Sequence, residues 1–129
     1  MAFNVSEQFV LAAEEVLGAH LPESYRKSMQ MENGGEVKAM SDYWTLVPIQ
    51  DKSDRKRIAR TSYDIVRETR DMADWTGWPE TAVKIAQNGT GDALLFMIEG
   101  KVCTNEVYHW AHETGETTKI ADDFSELKR

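Results

Sequence analysis

Residues 82–98 read Ala82-Val83-Lys84-Ile85-Ala86-Gln87-Asn88-Gly89-Thr90-Gly91-Asp92-Ala93-Leu94-Leu95-Phe96-Met97-Ile98. Two short apolar runs, Ala82–Ala86 and Ala93–Ile98, flank a polar, glycine-bearing stretch. The pattern predicts two strands joined by a turn over Gln87–Asp92, longer than a two-residue hairpin loop but of the glycine-containing kind. Downstream, Glu99-Gly100 turns into a short strand around Val102, and Val107–Ala111 is the last clear strand. Glu113-Thr114-Gly115-Glu116 makes a turn. Asp122 or Asp123 caps a short closing helix whose Phe124 and Leu127 face inward.

Upstream of this pair the pattern is mainly helical. Asn4 or Ser6 caps a first helix, in which Phe9, Ala13, Val16 and Leu17 follow the spacing of one face, and Gly18 ends it. Leu21-Pro22 opens a second helix, since proline is tolerated in a first turn where its missing N–H has no partner to lose. Tyr25 and Met29 face the core, and Asn33-Gly34-Gly35 stops the helix with a left-handed residue. Residues 44–49 carry apolar side chains on both faces, so they read as a strand buried on both sides, with Pro48 at its end or on an edge. Asp51–Asp74 reads as one long helix with Ile58, Ser62, Ile65, Val66, Thr69 and Met72 inside. Its opposite charges at i+3 and i+4 (Asp51/Arg55, Asp54/Arg57, Asp64/Arg67, Arg67/Asp71) make a solvated face. Trp75-Thr76-Gly77-Trp78-Pro79 breaks it. With no repeat or linker, residues 1–129 form one α+β domain, a mostly antiparallel central sheet packed by about four helices.

At 129 residues the chain is long enough to bury a core without covalent staples. No apolar run approaches the length of a membrane helix. The first residues lack a basic region followed by an apolar block, so no secretion signal is expected. A single cysteine, Cys103, excludes an internal disulfide, and together these features point to the cytoplasm. The net charge of −7 argues against nucleic acid as the main ligand and favours a basic partner.

No reaction is legible. His109-Trp110-Ala111-His112-Glu113 invites a zinc reading, but the histidines stand at i and i+3. On a strand they point to opposite faces, so no metal or other cofactor is expected. Asn88-Gly89-Thr90-Gly91-Asp92 lacks the spacing of a phosphate loop and reads as a turn. Asn88-Gly89-Thr90 matches the glycosylation acceptor pattern, a chance match without secretion. Glu14/Glu15 and Asp122/Asp123 are sequence neighbours whose side chains diverge, which does not describe an acid/base pair. Trp44 and Trp110 are core bulk, whereas Trp75 and Trp78 flank a break and are partly exposed, as suits a protein interface.

The order of the short motifs carries more than any one of them. Leu21-Pro22-x-x-Tyr25 is followed by Asn33-Gly34-Gly35 and then Trp44-x-Leu46-x-Pro48-Ile49. Next come Ile85-Ala86, Gly91-Asp92, Val107-Tyr108 and His112. This series resembles the SUKH superfamily, which includes yeast cell-wall-assembly regulators and many bacterial immunity proteins. The resemblance implies a single α+β domain with no shared catalytic activity, hence not an enzyme. It further implies an immunity protein that binds and neutralises a cognate toxin, often a nuclease and therefore basic, in a bacterial polymorphic toxin system. The alternative it implies is a regulatory or scaffold domain. Neither membrane nor nucleic acid is an expected partner, and the expected state is a monomer or weak dimer. Contact residues in such a family vary with the partner, so the candidates come from this chain alone. Glu36, Asp42 and Tyr43 lie in the loop after the second helix, Asn88, Thr90 and Asp92 in a turn, and Glu106 and Glu113 flank the last clear strand.

Overall fold

The computed structural model describes residues 2–129. Four α-helices, α1 (Glu7–Leu17), α2 (Glu23–Met31), α3 (Arg55–Arg60) and α4 (Ile65–Met72), surround a seven-stranded sheet. The strands are β1 (Glu36–Ala39), β2 (Asp42–Leu46), β3 (Ala82–Gln87), β4 (Ala93–Glu99), β5 (Val102–Cys103), β6 (Val107–Trp110) and β7 (Thr117–Ala121). Every pairing between them is antiparallel, in the order β1-β2-β3-β4-β6-β7, with β5 paired to the end of β4. The fold is α+β, and the strand pair at its centre is the one anticipated from residues 82–98.

The apolar run of β4 is sorted by the pleat. Leu94, Phe96 and Ile98 join the main core, while Ala93, Leu95 and Met97 join a smaller cluster on the opposite face. The main core is centred on Tyr25, whose ring meets Phe96 (5.1 Å, 82°) and Phe124 (5.2 Å, 87°) edge to face. Phe124 begins a closing 3₁₀ turn, Phe124–Glu126, in which the Asp123 carboxylate accepts the Ser125 N–H. The opposite face is covered by Met72, Trp78 and Trp110.

Three expectations need correcting. The first helix buries its expected face only in part: Phe9, Ala13 and Leu17 pack on the core, Val10 and Glu14 are buried beside them, and Val16 is exposed. Glu14 accepts the Leu21 N–H at 2.7 Å and pairs with Arg26 at 3.4 Å, fixing the turn into α2. The long helix over 51–74 is two short ones. Asp54 and Asp64 cap them, each accepting the backbone N–H three residues on (2.8 and 3.1 Å). Between them the buried Thr61 hydroxyl donates to the Arg57 carbonyl and accepts the Asp51 N–H. Thus the acids expected on a solvated face mostly serve the backbone, and Ile58 is exposed rather than inside. Finally, Val107–Trp110 is not the last strand. β7 follows it at the sheet edge.

Helix α4 is fastened to β3 by the buried Lys84. Its ammonium donates to Glu68 and Gln87, both at 2.8 Å, and its backbone N–H donates to the Thr69 hydroxyl at 2.9 Å. Glu68→Ala strands that ammonium on one neutral acceptor and should cost about 2 kcal/mol in urea unfolding. The paired change Lys84→Met with Glu68→Leu should recover most of the loss. If the double variant is weaker than the single, the ammonium is not the penalised group.

Candidate functional site

The register brings three turns to one end of the sheet. Pairing of Thr45 with Gln87 places the β1–β2 turn beside the β3–β4 turn. Pairing of Ala93 with Trp110 places the β6–β7 turn on its other side. Six of the eight residues anticipated as contacts converge there: Asp42, Tyr43, Asn88, Thr90, Asp92 and Glu113. Glu36 and Glu106 do not. Glu36 opens β1 away from its turn, and Glu106 precedes β6 at the other end. Glu36, Asp42 and Tyr43 also prove to be strand rather than loop residues.

The centre of this end is a carboxylate held by two imidazoles. Asp92 Oδ2 lies 2.9 Å from His109 Nε2, and Oδ1 lies 2.6 Å from His112 Nδ1 and accepts the His112 backbone N–H at 3.1 Å. An ionised carboxylate only accepts, so His109 is protonated at Nε2 and His112 at Nδ1 on that ground. Partial burial by itself raises the Asp92 pKa. The bonds from the His112 ring and backbone, together with His109, outweigh it and bring the carboxyl down to about 2. His109 is set edge-on against Trp44 (5.7 Å, 75°). A side chain at Gly91, where φ is +99°, would meet the His112 ring at 3.3 Å. The expectation that the two histidines point apart therefore fails. Strand β6 ends at Trp110, and the chain doubles back over residues 111–116, returning His112 to the face that His109 already occupies. Only the strand register could have revealed this, because 17 and 20 residues separate Asp92 from its partners.

Asp92 is thus an internal tie between turns rather than an open contact. The neighbouring turn is built likewise. Asn88 Oδ1 accepts from the Thr90 N–H (3.1 Å) and hydroxyl (2.7 Å), while its Nδ2 donates to Asp42 at 3.2 Å. Residues 75–78 are pinned onto the same end, where the Gly77 carbonyl accepts the Trp110 indole N–H at 3.2 Å. There the Gly77 and Gly115 backbones touch so closely that a Cβ on Gly77 would lie 2.7 Å from the Gly115 Cα.

What this rigid end presents outward is mainly apolar and acidic, with the Lys38 ammonium 5.8 Å from the Tyr43 ring centroid. Tyr43 is 65% exposed, Met40 56% and Trp75 52%. Beside them lie the exposed carboxylates Asp42, Glu113 and Glu116. The β1–β2 turn itself breaks a local rule. Met40 (φ 55°) and Ser41 (φ 59°) both sit in the left-handed region, which a two-residue hairpin normally gives to Asn-Gly. A side chain there costs of order 1 kcal/mol per residue, and such strain collects at functional positions.

Residues 4–129 match the profile of the SMI1/KNR4 family (SUKH-1). The chain belongs to that family. No curated protein matches it closely enough to add to this. In this SUKH-1 chain burial pushes the Cys103 thiol up to about 12, with Glu14 adding to the effect, so it stays protonated at neutral pH. Among the described residues no three His, Cys, Asp or Glu side chains are arranged to hold a metal ion. Also among them, no helix is long and apolar enough to cross a membrane.

Proposed function

We propose that this SUKH-1 domain is a non-catalytic protein-binding module that occludes a basic partner, and that the partner is a cognate toxin of a bacterial polymorphic toxin system. One observation carries the binding surface: the strained Met40-Ser41 turn, held on a rigid end, exposes Met40 and Tyr43 next to Asp42. Amphipathic anchors on a braced frame lose little conformational entropy on docking. The carboxylates around them steer a cationic partner and give the association its salt dependence. The Asp92 carboxylate, spent on two imidazoles and an amide, supplies stiffness rather than a general base. Immunity itself rests on the kinship of the family and on the charge of −7.

The test is rescue. The toxic domain encoded beside this gene is expressed with and without this chain, and survival and co-purification are scored. Rescue with a stable complex supports immunity. Absence of both rescue and complex would overturn immunity and leave the regulatory scaffold reading in its place. The turn then gives a sharper test. Met40→Asn with Ser41→Gly removes the left-handed strain and should stabilise the fold by about 1 kcal/mol. The same pair should weaken the complex at least about tenfold, or about 1.4 kcal/mol, through loss of the Met40 anchor. Asp42→Lys should slow association at low salt. A pair that stabilises the fold and leaves affinity unchanged would remove this turn from the interface.

A further inference from the structure

We infer that the groove between α1 and the α3–α4 pair is a second interaction surface, which takes an acidic amphipathic helix from a partner protein. The groove encloses about 810 Å³ among the helices. Phe9, Val16, Ile58 and Val66 line it, and Val16 (62% exposed) and Ile58 (46%) face solvent from its walls. Both are helix residues that ordinary amphipathic packing would bury. The α1 wall presents Phe9, Ala12, Ala13 and Val16, one stripe of roughly 10 Å from residue 9 to residue 16. It matches about two turns of an opposing helix with anchors at i, i+4 and i+7.

The charge of the rim selects the occupant. Lys52, Arg67 and Arg70 border the groove, and of the acids lining it Asp71 is exposed while Asp64 is buried as the α4 cap. The Arg67 guanidinium lies 4.1 Å from the Tyr63 ring centroid and donates to the Ser62 carbonyl at 3.4 Å. The charged side chains that line the groove are three basic and two acidic, a net +1 on a chain of −7. The groove is therefore a locally cationic stretch of an anionic protein. An acidic helix is drawn toward Lys52, Arg67 and Arg70.

The probe is a fluorescein-labelled peptide of about 16 residues, with leucine at i, i+4 and i+7 and mostly glutamate elsewhere, titrated with the full chain by anisotropy. Saturable binding is expected. It should weaken at least about tenfold in Ile58→Glu, in Arg67→Glu with Arg70→Glu, with serine in place of the peptide leucines, and between about 0.05 and 0.5 M salt. Any of four results overturns the inference. These are no saturable binding, equal affinity in the groove variants, equal affinity for the lysine counterpart of the peptide, and binding to phosphatidylglycerol vesicles without binding to the peptide. Self-association abolished by Ile58→Glu would also overturn it, by making a second copy the occupant. No toxin enters this assay, so its failure and that of the turn-end reading are separate.

Discussion

Replacing Asp92 by asparagine should cost about 3 kcal/mol at neutral pH and lower the melting temperature by roughly 12 °C for a chain of this size. The carboxylate accepts from two ring N–H groups and one backbone N–H. The amide keeps one acceptor oxygen and turns an N–H₂ donor toward a ring that also donates. One imidazole must then change its tautomer or lose its partner, and the turn carrying Gly91 loses its brace against residues 111–116. The effect has a pH signature. An unfolded aspartate titrates at about 3.9, whereas the folded Asp92 is held at about 2. The folded pKa is depressed, so the stabilisation is fully present above about pH 4 and is lost as pH falls through about 2. Wild-type and variant unfolding curves should stay apart at pH 7 and draw together across that acidic window. A variant that melts with wild type at neutral pH would show that the histidines do not hold the turns. In the proposed reading the folded variant should also bind its partner more slowly, because the end that presents Tyr43 is no longer fixed.

What could be read in the sequence, and what could not, follows from the range of the interactions. The central strand pair was legible because two short apolar runs and a glycine turn between them are local signals. Tyr25 as a core residue was legible from the Leu21-Pro22 helix start. The break at residues 61–64 was not. Asp54, Thr61 and Asp64 serve as well inside an exposed helix as at its ends, and the choice rests on the buried Thr61–Asp51 bonds, ten residues apart. Strand β7, Thr-Thr-Lys-Ile-Ala, carries too few apolar side chains to announce itself, as an edge strand can. The candidate site was half legible. Its turns were found as turns, but their convergence and the Asp92–His109–His112 contact depend on strand register, which no local pattern fixes.

Asn33 extends the same lesson to the helix stop, and Asn33→Asp should be the most damaging single-atom exchange in the chain, at about 4 kcal/mol. Read locally, Asn33-Gly34-Gly35 ends α2 with a left-handed residue, but α2 stops at Met31 with Glu32 extended, and the left-handed Gly34 and Gly35 come after it. In the fold the buried Asn33 side chain also acts as a short strand. Its Nδ2 donates to the Ile49 carbonyl and its Oδ1 accepts the Ile49 N–H, both at 2.8 Å. Its own backbone N–H donates to the Phe3 carbonyl at 2.6 Å. That one residue thereby joins the N-terminal segment, the end of α2 and the segment after β2. Alanine would leave a buried N–H and a buried carbonyl unpaired, costing about 2–3 kcal/mol. Aspartate is worse, because it keeps the acceptor but sets a second oxygen against the Ile49 carbonyl and buries a charge. Two measurements separate this from simple loss of packing. Urea unfolding at pH 7 should rank wild type above Asn33→Ala and Asn33→Asp last. On acidification the aspartate variant should regain stability relative to alanine. Burial raises the carboxyl pKa in the folded state, so the penalty holds above that value and is relieved as the protonated carboxyl becomes a donor to Ile49. If the two variants keep the same gap at every pH, the Nδ2 donor is not what holds this junction.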